Sequence, residues 1–246
     1  MNETLKALYE RKSVRMYEDR PIREEDIRHI LSAALAAPSA GNQQLYTILR
    51  ITDQSVKDRL AVTCDNQPFI KKAPLVLIFC ADQQKWMDAY RLGGCDPRAP
   101  GPGDLMLAVA DACIAAQNAV VAAQSLGIGS CYIGDIMENC EQHRELLNLP
   151  DLVFPAAMLV FGYPTAQQMA RVKPARPSLH HLVHENAYRR MDGEELKSML
   201  AKGDEAFQFE PWIRAFCERK FNSAFSREMS RSVAKYLEVY QKGKDG

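Results

Sequence analysis

No charge of either sign predominates in this chain, because 31 lysines and arginines are balanced by 31 aspartates and glutamates. A neutral balance argues against a protein whose main task is to coat DNA, RNA or an anionic membrane. We therefore predict no nucleic-acid partner and no membrane partner. Hydrophobic residues make up 47% of the 246 positions, enough for a sizeable core in one large domain or two small ones.

The cysteines lack the spacing of a zinc site or a redox pair. None of the seven belongs to a C-x-x-C motif, and Cys80, Cys113 and Cys131 stand in apolar stretches. An odd number of such residues indicates free thiols in a reducing compartment. The first ten residues also lack the apolar run of a secretory signal. We therefore expect a cytoplasmic protein.

Several catalytic motifs are missing as well. The glycines of "LGIGSCYIGD" follow a helical stretch with the wrong spacing for a dinucleotide fingerprint, and there is no P-loop. His180 and His184 are four residues apart but lack a third ligand and the order of a zinc protease. We predict no metal site and no catalytic side chain. Such a chain suits an enzyme whose cofactor carries the chemistry.

Buried strands and amphipathic helices alternate along the sequence. Residues 21–37 have the periodicity of a helix, and 105–127 form an apolar stretch that Asp111 and Asn118 interrupt, which favours a buried central helix over a membrane span. Four segments are typical of strands: "LYTILRI", "APLVLIFCAD", "IGSCYIGDI" and "VFPAAMLVFGYP". The mixture predicts an α+β fold, a sheet flanked by helices.

The chain shows no internal repeat and no low-complexity segment, and we predict one domain over residues 1–246. A C-terminal extension from about residue 190 ends in a docking helix, which we place within 221–246. Its apolar positions recur on one helical face, beginning with Phe221 and Phe225 and ending with Tyr240. This helix packs on its own subunit or reaches a partner.

A basic cluster near the amino terminus, "ERKSVRMYEDRP", is the first candidate site. In an extended strand Arg11, Ser13 and Arg15 would point to one side. Two guanidinium forks and a hydroxyl on one face could hold a terminal phosphate. The alternative is a solvated charged turn, which spacing alone favours.

Two further segments could contact a flat polar ligand. "PSAGNQQ" (38–44) carries several amides, which both donate and accept hydrogen bonds. The glycines around "CYIGD" would let the backbone approach a ring closely. Both segments also suit ordinary roles, the first as a turn and Gly127 as the end of a helix.

These segments in this order resemble the FMN-dependent nitroreductase family. "RKSVRMYEDRPI", "APSAGNQQ", "CYIGDI" and "KPARPSLHHLVHENAY" carry the resemblance over residues 5–190. The closer similarity is to the NADPH-preferring branch of oxygen-insensitive nitroreductases and flavin reductases. The resemblance implies a nitroreductase-like α+β fold with a mixed or antiparallel sheet, and a homodimer with an intertwined C-terminal segment.

The resemblance also implies a function and a set of contacts. FMN would be bound at the subunit interface, NAD(P)H would be the donor with NADPH favoured, and a nitroaromatic, quinone or free flavin would be the small-molecule electron acceptor in a ping-pong cycle through flavin N5. The cofactor-binding residues that it implies are Arg11, Lys12, Ser13, Arg15, Ser39, Asn42, Gln67, Tyr132, Ile133, Gly134, Lys173 and Arg176.

This chain differs from the NADPH-preferring branch at the position of one basic residue. Lys-Pro-Arg is usual there, but this chain has Ala175 at the third position and Arg176 one place later. Arg176 therefore replaces the usual contact or the contact is lost. Two alternative functions remain at this stage: a flavoenzyme of the same family with other chemistry (enone reduction, dehalogenation or flavin breakdown), and a non-catalytic flavin-binding protein.

Overall fold

Four apolar segments form one antiparallel sheet with the strand order β1-β2-β4-β3. The strands are β1 (Tyr46–Ile51), β2 (Leu75–Asp82), β3 (Gly129–Ile133) and β4 (Val153–Gly162). Every residue of β2 and β4 is buried, since both strands are central and both faces of the sheet are covered. The computed structural model therefore confirms the predicted α+β fold with a helix-flanked antiparallel sheet.

Helices account for most of the remaining chain. They are α1 (Glu3–Glu10), α2 (Glu24–Leu35), α3 (Gln54–Thr63), α4 (Phe69–Lys72), α5 (Gln84–Leu92), α6 (Pro102–Ser125), α7 (Cys140–Leu147), α8 (Ala166–Ala170), α9 (Leu179–Leu182), α10 (Gly193–Ala201), α11 (Phe209–Lys220) and α12 (Ala224–Gln241). Short 3₁₀ turns at Ala40–Asn42 and Gly134–Met137 lie next to the predicted site.

The long helix α6 is the centre of the larger hydrophobic core. Small side chains such as Ala108, Ala112 and Ala115 are fully buried there, so other elements can pack closely against it. Length and composition alone would let this helix cross a membrane. Its polar side chains instead bond within the fold: Asn118 Nδ2, for example, donates to the Ala33 carbonyl over 3.1 Å. The predicted central helix is therefore present, with one face buried in the core of this chain.

The last described helix, α12, docks onto the core of its own chain. Tyr236 and Tyr240 are 1% and 2% exposed, and the Tyr240 hydroxyl donates to the Leu152 carbonyl over 2.9 Å. The expectation that Phe221 belongs to this face is wrong. That residue ends α11 and is 78% exposed, because a turn at 221–223 separates the two helices.

The structure describes residues 1–241, and these divide into two units. The first comprises Met1–Arg171 together with the chain from Glu228 onward, and the second comprises Val172–Arg227. The single domain with an extension from about 190 stays a prediction. The end of the predicted docking segment, residues 242–246, lies outside the described part of the chain.

Candidate functional site

A short extended segment, residues 12–17, pairs with the edge strand β3. Ser13 forms a parallel bridge with Ser130, and the Val14 N–H donates to the Ser130 carbonyl over 2.9 Å. Val14 is 4% exposed and points into the fold. Because side chains alternate along an extended chain, Ser13 and Arg15 lie on the opposite face.

Two glycines allow this segment to lie so close to the sheet. A Cβ atom on Gly129 would be 2.4 Å from Val14 Cγ2, and one on Gly162 would be 2.5 Å from Tyr17 Cδ1. Both distances are far shorter than a carbon–carbon contact. The absence of a side chain at Gly129 and Gly162 therefore positions the whole basic segment.

A buried glutamine and a lysine also hold the segment in place. Gln168 is 2% exposed; its Oε1 accepts from the Arg15 N–H over 3.1 Å, and its Nε2 donates to the Ser13 carbonyl over 3.3 Å. Lys12 Nζ donates to backbone carbonyls at the end of α8, including that of Arg171 over 2.6 Å. Lys12 thus joins the segment to α8, whereas Gln168 bonds only the backbone of Ser13 and Arg15.

The three alternating residues of the basic cluster converge beside β3. Burial raises the pKa of the Cys131 thiol, and Arg15, Ser13 and Arg11 all act on it in the opposite direction. Arg11 Nη1 is buried and has no hydrogen-bond partner within residues 1–241. A buried donor without an acceptor is costly, and a charged acceptor relieves that cost. The arrangement has positive charge and one unpaired buried donor, Arg11 Nη1, which an anion could accept from.

The end of β3 presents backbone next to this cluster. Tyr132 is 38% exposed, burial of the rest of the side chain raises its pKa to about 12, and its hydroxyl contacts Gln117 Oε1 over 3.4 Å. After the buried Ile133 comes Gly134, where an added Cβ would approach nothing closer than Met137 Cε at 4.0 Å. The backbone at Gly134 therefore has open space beside it.

Gln67 is joined to the same stretch by a hydrogen bond. Its Nε2 donates to Asp135 Oδ2 over 3.1 Å and to the Cys64 carbonyl over 2.9 Å. Both amide hydrogens are therefore engaged, and Oε1 is the group that Gln67 can present to a ligand. The structure thus brings Gln67 and Gly134 together.

The segment "PSAGNQQ" forms a tightly ordered turn before β1. Ser39 Oγ accepts from the Gln44 N–H over 3.0 Å, and Asn42 Oδ1 accepts from Gln44 Nε2 over 2.7 Å. The buried Asp111 carboxylate accepts from the N–H groups at both ends of the turn, over 2.9 and 3.1 Å. Asn42 and Gln44 have φ of 55° and 48°, a left-handed conformation that needs such support.

Ser39 and Asn42 do not meet the basic cluster within one chain. Their turn precedes β1, at one edge of the sheet, whereas Ser13 pairs with β3 at the other edge. Strands lie about 4.8 Å apart, so the four intervals from β1 to the Ser13 segment span roughly 19 Å. Ser39 and Asn42 therefore lie far from the basic cluster of the same chain.

The remaining predicted contacts, Lys173 and Arg176, belong to the second unit. Lys173 is half-buried and Arg176 is exposed in a stretch without helix or strand between α8 and α9. Their roles stay predictions.

The histidines that follow this stretch form hydrogen bonds with residues close to them in sequence. Ser178 Oγ lies within hydrogen-bond distance of His180 Nδ1, and His184 Nδ1 accepts from the Arg189 N–H over 3.1 Å. Among residues 1–241, no group of three or more His, Cys, Asp or Glu side chains could hold a metal ion.

Sequence reasoning missed three residues that organise the site. The sequence does indicate a special role for Asp111, because this carboxylate lies inside an otherwise apolar helix. Gln168 and Asp135 had none, because their roles depend on backbone groups and side chains that only folding brings near.

Comparison with known proteins identifies a family for this arrangement. The family model described as "Nitroreductase family" matches residues 8–163. The chain is 32% identical over 244 residues to the FMN reductase [NAD(P)H] of Bacillus subtilis, covering 97% of this chain and 92% of that protein. It is 33% identical over 206 residues to the oxygen-insensitive NADPH nitroreductase of Salmonella typhimurium, covering 83% and 81%.

A solved structure shares the fold over nearly the full length. The crystal structure of nitroreductase A from Vibrio parahaemolyticus superimposes with a TM-score of 0.81 at 28% identity, covering 98% of this chain and 97% of that one.

Proposed function

The chain belongs to the nitroreductase family and is an FMN-dependent NAD(P)H oxidoreductase, and we propose that Arg11, Ser13 and Arg15 hold the phosphate end of its FMN. The single observation that carries this assignment is the buried Arg11 Nη1 without a partner, beside the two other residues of the cluster. A phosphate supplies the acceptors that this donor lacks. The residues present therefore fit the cofactor.

The other end of the site suits the flavin ring. Gly134 offers backbone that a flat ring can approach, and Gln67 presents Oε1 as an acceptor. Bound FMN supplies hydride transfer from NAD(P)H to a small-molecule electron acceptor, and we propose that donor and acceptor occupy the same cleft in turn. The protein binds and orients the cofactor and the two substrates. We propose NADPH as the favoured donor, because the Salmonella relative is named an NADPH nitroreductase.

A visible flavin spectrum is the direct test of this function. We expect protein supplied with FMN to be yellow after gel filtration, and NADPH to bleach it in the absence of oxygen faster than NADH does. Steady-state oxidation of NADPH with a quinone then separates an enzyme from a non-catalytic flavin-binding protein. Protein that takes up no FMN would contradict the proposal.

We propose that the working unit is a homodimer. Helix α6 exposes Met106, Leu107 and Ile114, an apolar stripe, by 65%, 53% and 41%, and Gln117 of the same helix contacts Tyr132 beside the basic cluster. Contiguous exposed apolar surface is typical of an interface. A second copy on this face would cover the stripe and could bring its own turn with Ser39 and Asn42 to the flavin.

Ile114→Glu tests the dimer. We expect a shift from dimer to monomer in analytical ultracentrifugation together with weaker FMN binding, because a buried unpaired carboxylate opposes association. Leu92→Glu is the matched control, since Leu92 is 91% exposed and lies outside the stripe. An Ile114→Glu protein that stays dimeric would remove α6 from the interface.

The site of action proposed for this enzyme is the cytoplasm. All seven cysteines, which lie within the described residues, are free thiols. Free thiols persist in a reducing compartment.

A further inference from the structure

A group of acidic side chains lies directly behind the Gln67–Gly134 edge of the site. Glu138 is 5% exposed, and its Oε1 is buried without a hydrogen-bond partner in the described part of the chain. Burial raises the pKa of Glu138 to about 8, and the charges of Asp135, Asp65 and Glu228 act in the same direction. Glu138 therefore holds a proton more tightly than an ordinary glutamate does.

The 3₁₀ turn Gly134–Met137 connects this carboxyl group to the site. In such a turn residues three apart are eclipsed, so the side chains of Asp135 and Glu138 lie on one side. The Glu138 N–H donates to the Asp135 carbonyl over 3.1 Å, which closes the turn. Asp135 Oδ2 in turn accepts from Gln67 Nε2 over 3.1 Å. The Glu138 side chain also hydrogen-bonds the Asp135 side chain, so the Asp135 carboxyl group links Glu138 to Gln67.

Two basic side chains of the described residues near this group, Arg231 and His143, already have partners. Arg231 is engaged by Glu228 and Glu141, each with an N–O distance of 2.8 Å. The His143 ring is bonded to the Ile136 carbonyl and to Thr63 Oγ1, and burial lowers its pKa, which disfavours a positive charge on the ring.

The other groups that face Glu138 are the acids Asp65 and Glu228 and the Cys64 thiol, whose pKa burial raises. Ionisation of Glu138 would therefore add a second carboxylate beside Asp135 in a buried site, which like-charge repulsion and burial both oppose.

We propose that Glu138 is a positioning residue whose proton keeps Asp135 bonded to Gln67, so that loss of this proton releases Gln67 and weakens FMN binding. The inference rests on the proposed function, in which Gln67 meets the polar edge of the flavin. It makes cofactor binding sensitive to alkaline pH through a residue that does not touch the cofactor.

The first test is the pH dependence of FMN affinity. For the unmodified protein we expect the FMN dissociation constant to rise about tenfold between pH 7 and pH 9. Glu138→Gln carries a neutral side chain at every pH and should show a flat profile. Gln67→Ala should bind FMN more weakly but also without this pH dependence. Glu145→Gln is the control, because Glu145 is exposed on the neighbouring helix α7 and should behave like the unmodified protein.

Either of two results would overturn the proposal. One is a Glu138→Gln protein that keeps the unmodified profile. The other is a Gln67→Ala protein that keeps it, because the effect would then bypass Gln67.

The second test needs no FMN and separates this inference from the proposed function. The pKa of Glu138 is raised in the folded protein from an ordinary 4.5 to about 8, so the folded state binds this proton more tightly than the unfolded state does. Glu138's contribution to stability therefore falls as pH rises from 4.5 to 8. The unfolding temperature of Glu138→Gln minus that of the unmodified protein should increase between pH 5 and pH 8. Above pH 8 this difference should stay constant. A difference that does not change with pH would refute the protonated Glu138, whereas failure to bind FMN would refute only the proposed function.

Discussion

Arg11→Ala is expected to weaken FMN binding by about 2–3 kcal/mol, which is roughly 30- to 150-fold in the dissociation constant. The reason is that Arg11 Nη1 is buried without a partner. A phosphate held there forms charge-assisted hydrogen bonds, and removing the guanidinium leaves the phosphate partly desolvated and short of donors. Fluorescence titration of the protein with FMN measures the effect directly.

Two variants make the assignment of Arg11 specific. Arg11→Lys keeps the charge but loses the planar fork, so it should recover only part of the affinity. Lys12→Ala removes a neighbouring cation that already donates to carbonyls at the end of α8, so it should lower stability more than FMN affinity. A dissociation constant within twofold of the unmodified protein for Arg11→Ala would exclude Arg11 from the phosphate site.

Arg15→Ala should also weaken FMN binding, but by less than Arg11→Ala. Arg15 is exposed and lies 5.8 Å from the centre of the Phe69 ring, so water can replace part of what it offers. The order of the two losses therefore reports how deeply each guanidinium is buried.

Gly129→Ala is expected to lower the free energy of unfolding by about 2–4 kcal/mol, a cost typical of overpacking at a rigid backbone contact. The added Cβ would lie 2.4 Å from Val14 Cγ2 and 2.7 Å from Val14 Cβ. The segment must move away from β3 to relieve this overlap, and Ser13 and Arg15 move with it. FMN affinity should therefore fall together with stability, as urea unfolding and titration would show.

A double-mutant comparison isolates this contact. Val14→Gly removes all three valine atoms that an added Cβ would strike, so Gly129→Ala should cost much less in the Val14→Gly background. Gly103→Ala is the control in helix α6, where an added Cβ meets nothing within 4 Å and should cost no stability. Equal costs of Gly129→Ala in both backgrounds would show that Val14 is not the obstacle.

The architecture was predictable wherever a segment is uniformly apolar or strictly periodic. The strands β2 and β4 read as buried because all their residues face a covered side of the sheet, and α2 and α6 follow from helical periodicity and length. The helices α5, α10 and α11 were not predicted. The break at Phe221 was missed because the apolar pattern continues past the end of the helix.

The candidate site, like the fold, could be predicted only in part from the sequence. The sequence by itself determined which residue types could bind a phosphate, because the alternation of Arg11, Ser13 and Arg15 is a local property of an extended chain. Only the tertiary structure decided that this segment lies against β3, because the contact depends on Gly129 and the buried Gln168, both distant in sequence. It also placed Ser39 and Asn42 at the far edge of the sheet and Glu138 behind Gln67. Burial and strand order arise from packing across the whole chain, and no local pattern encodes them.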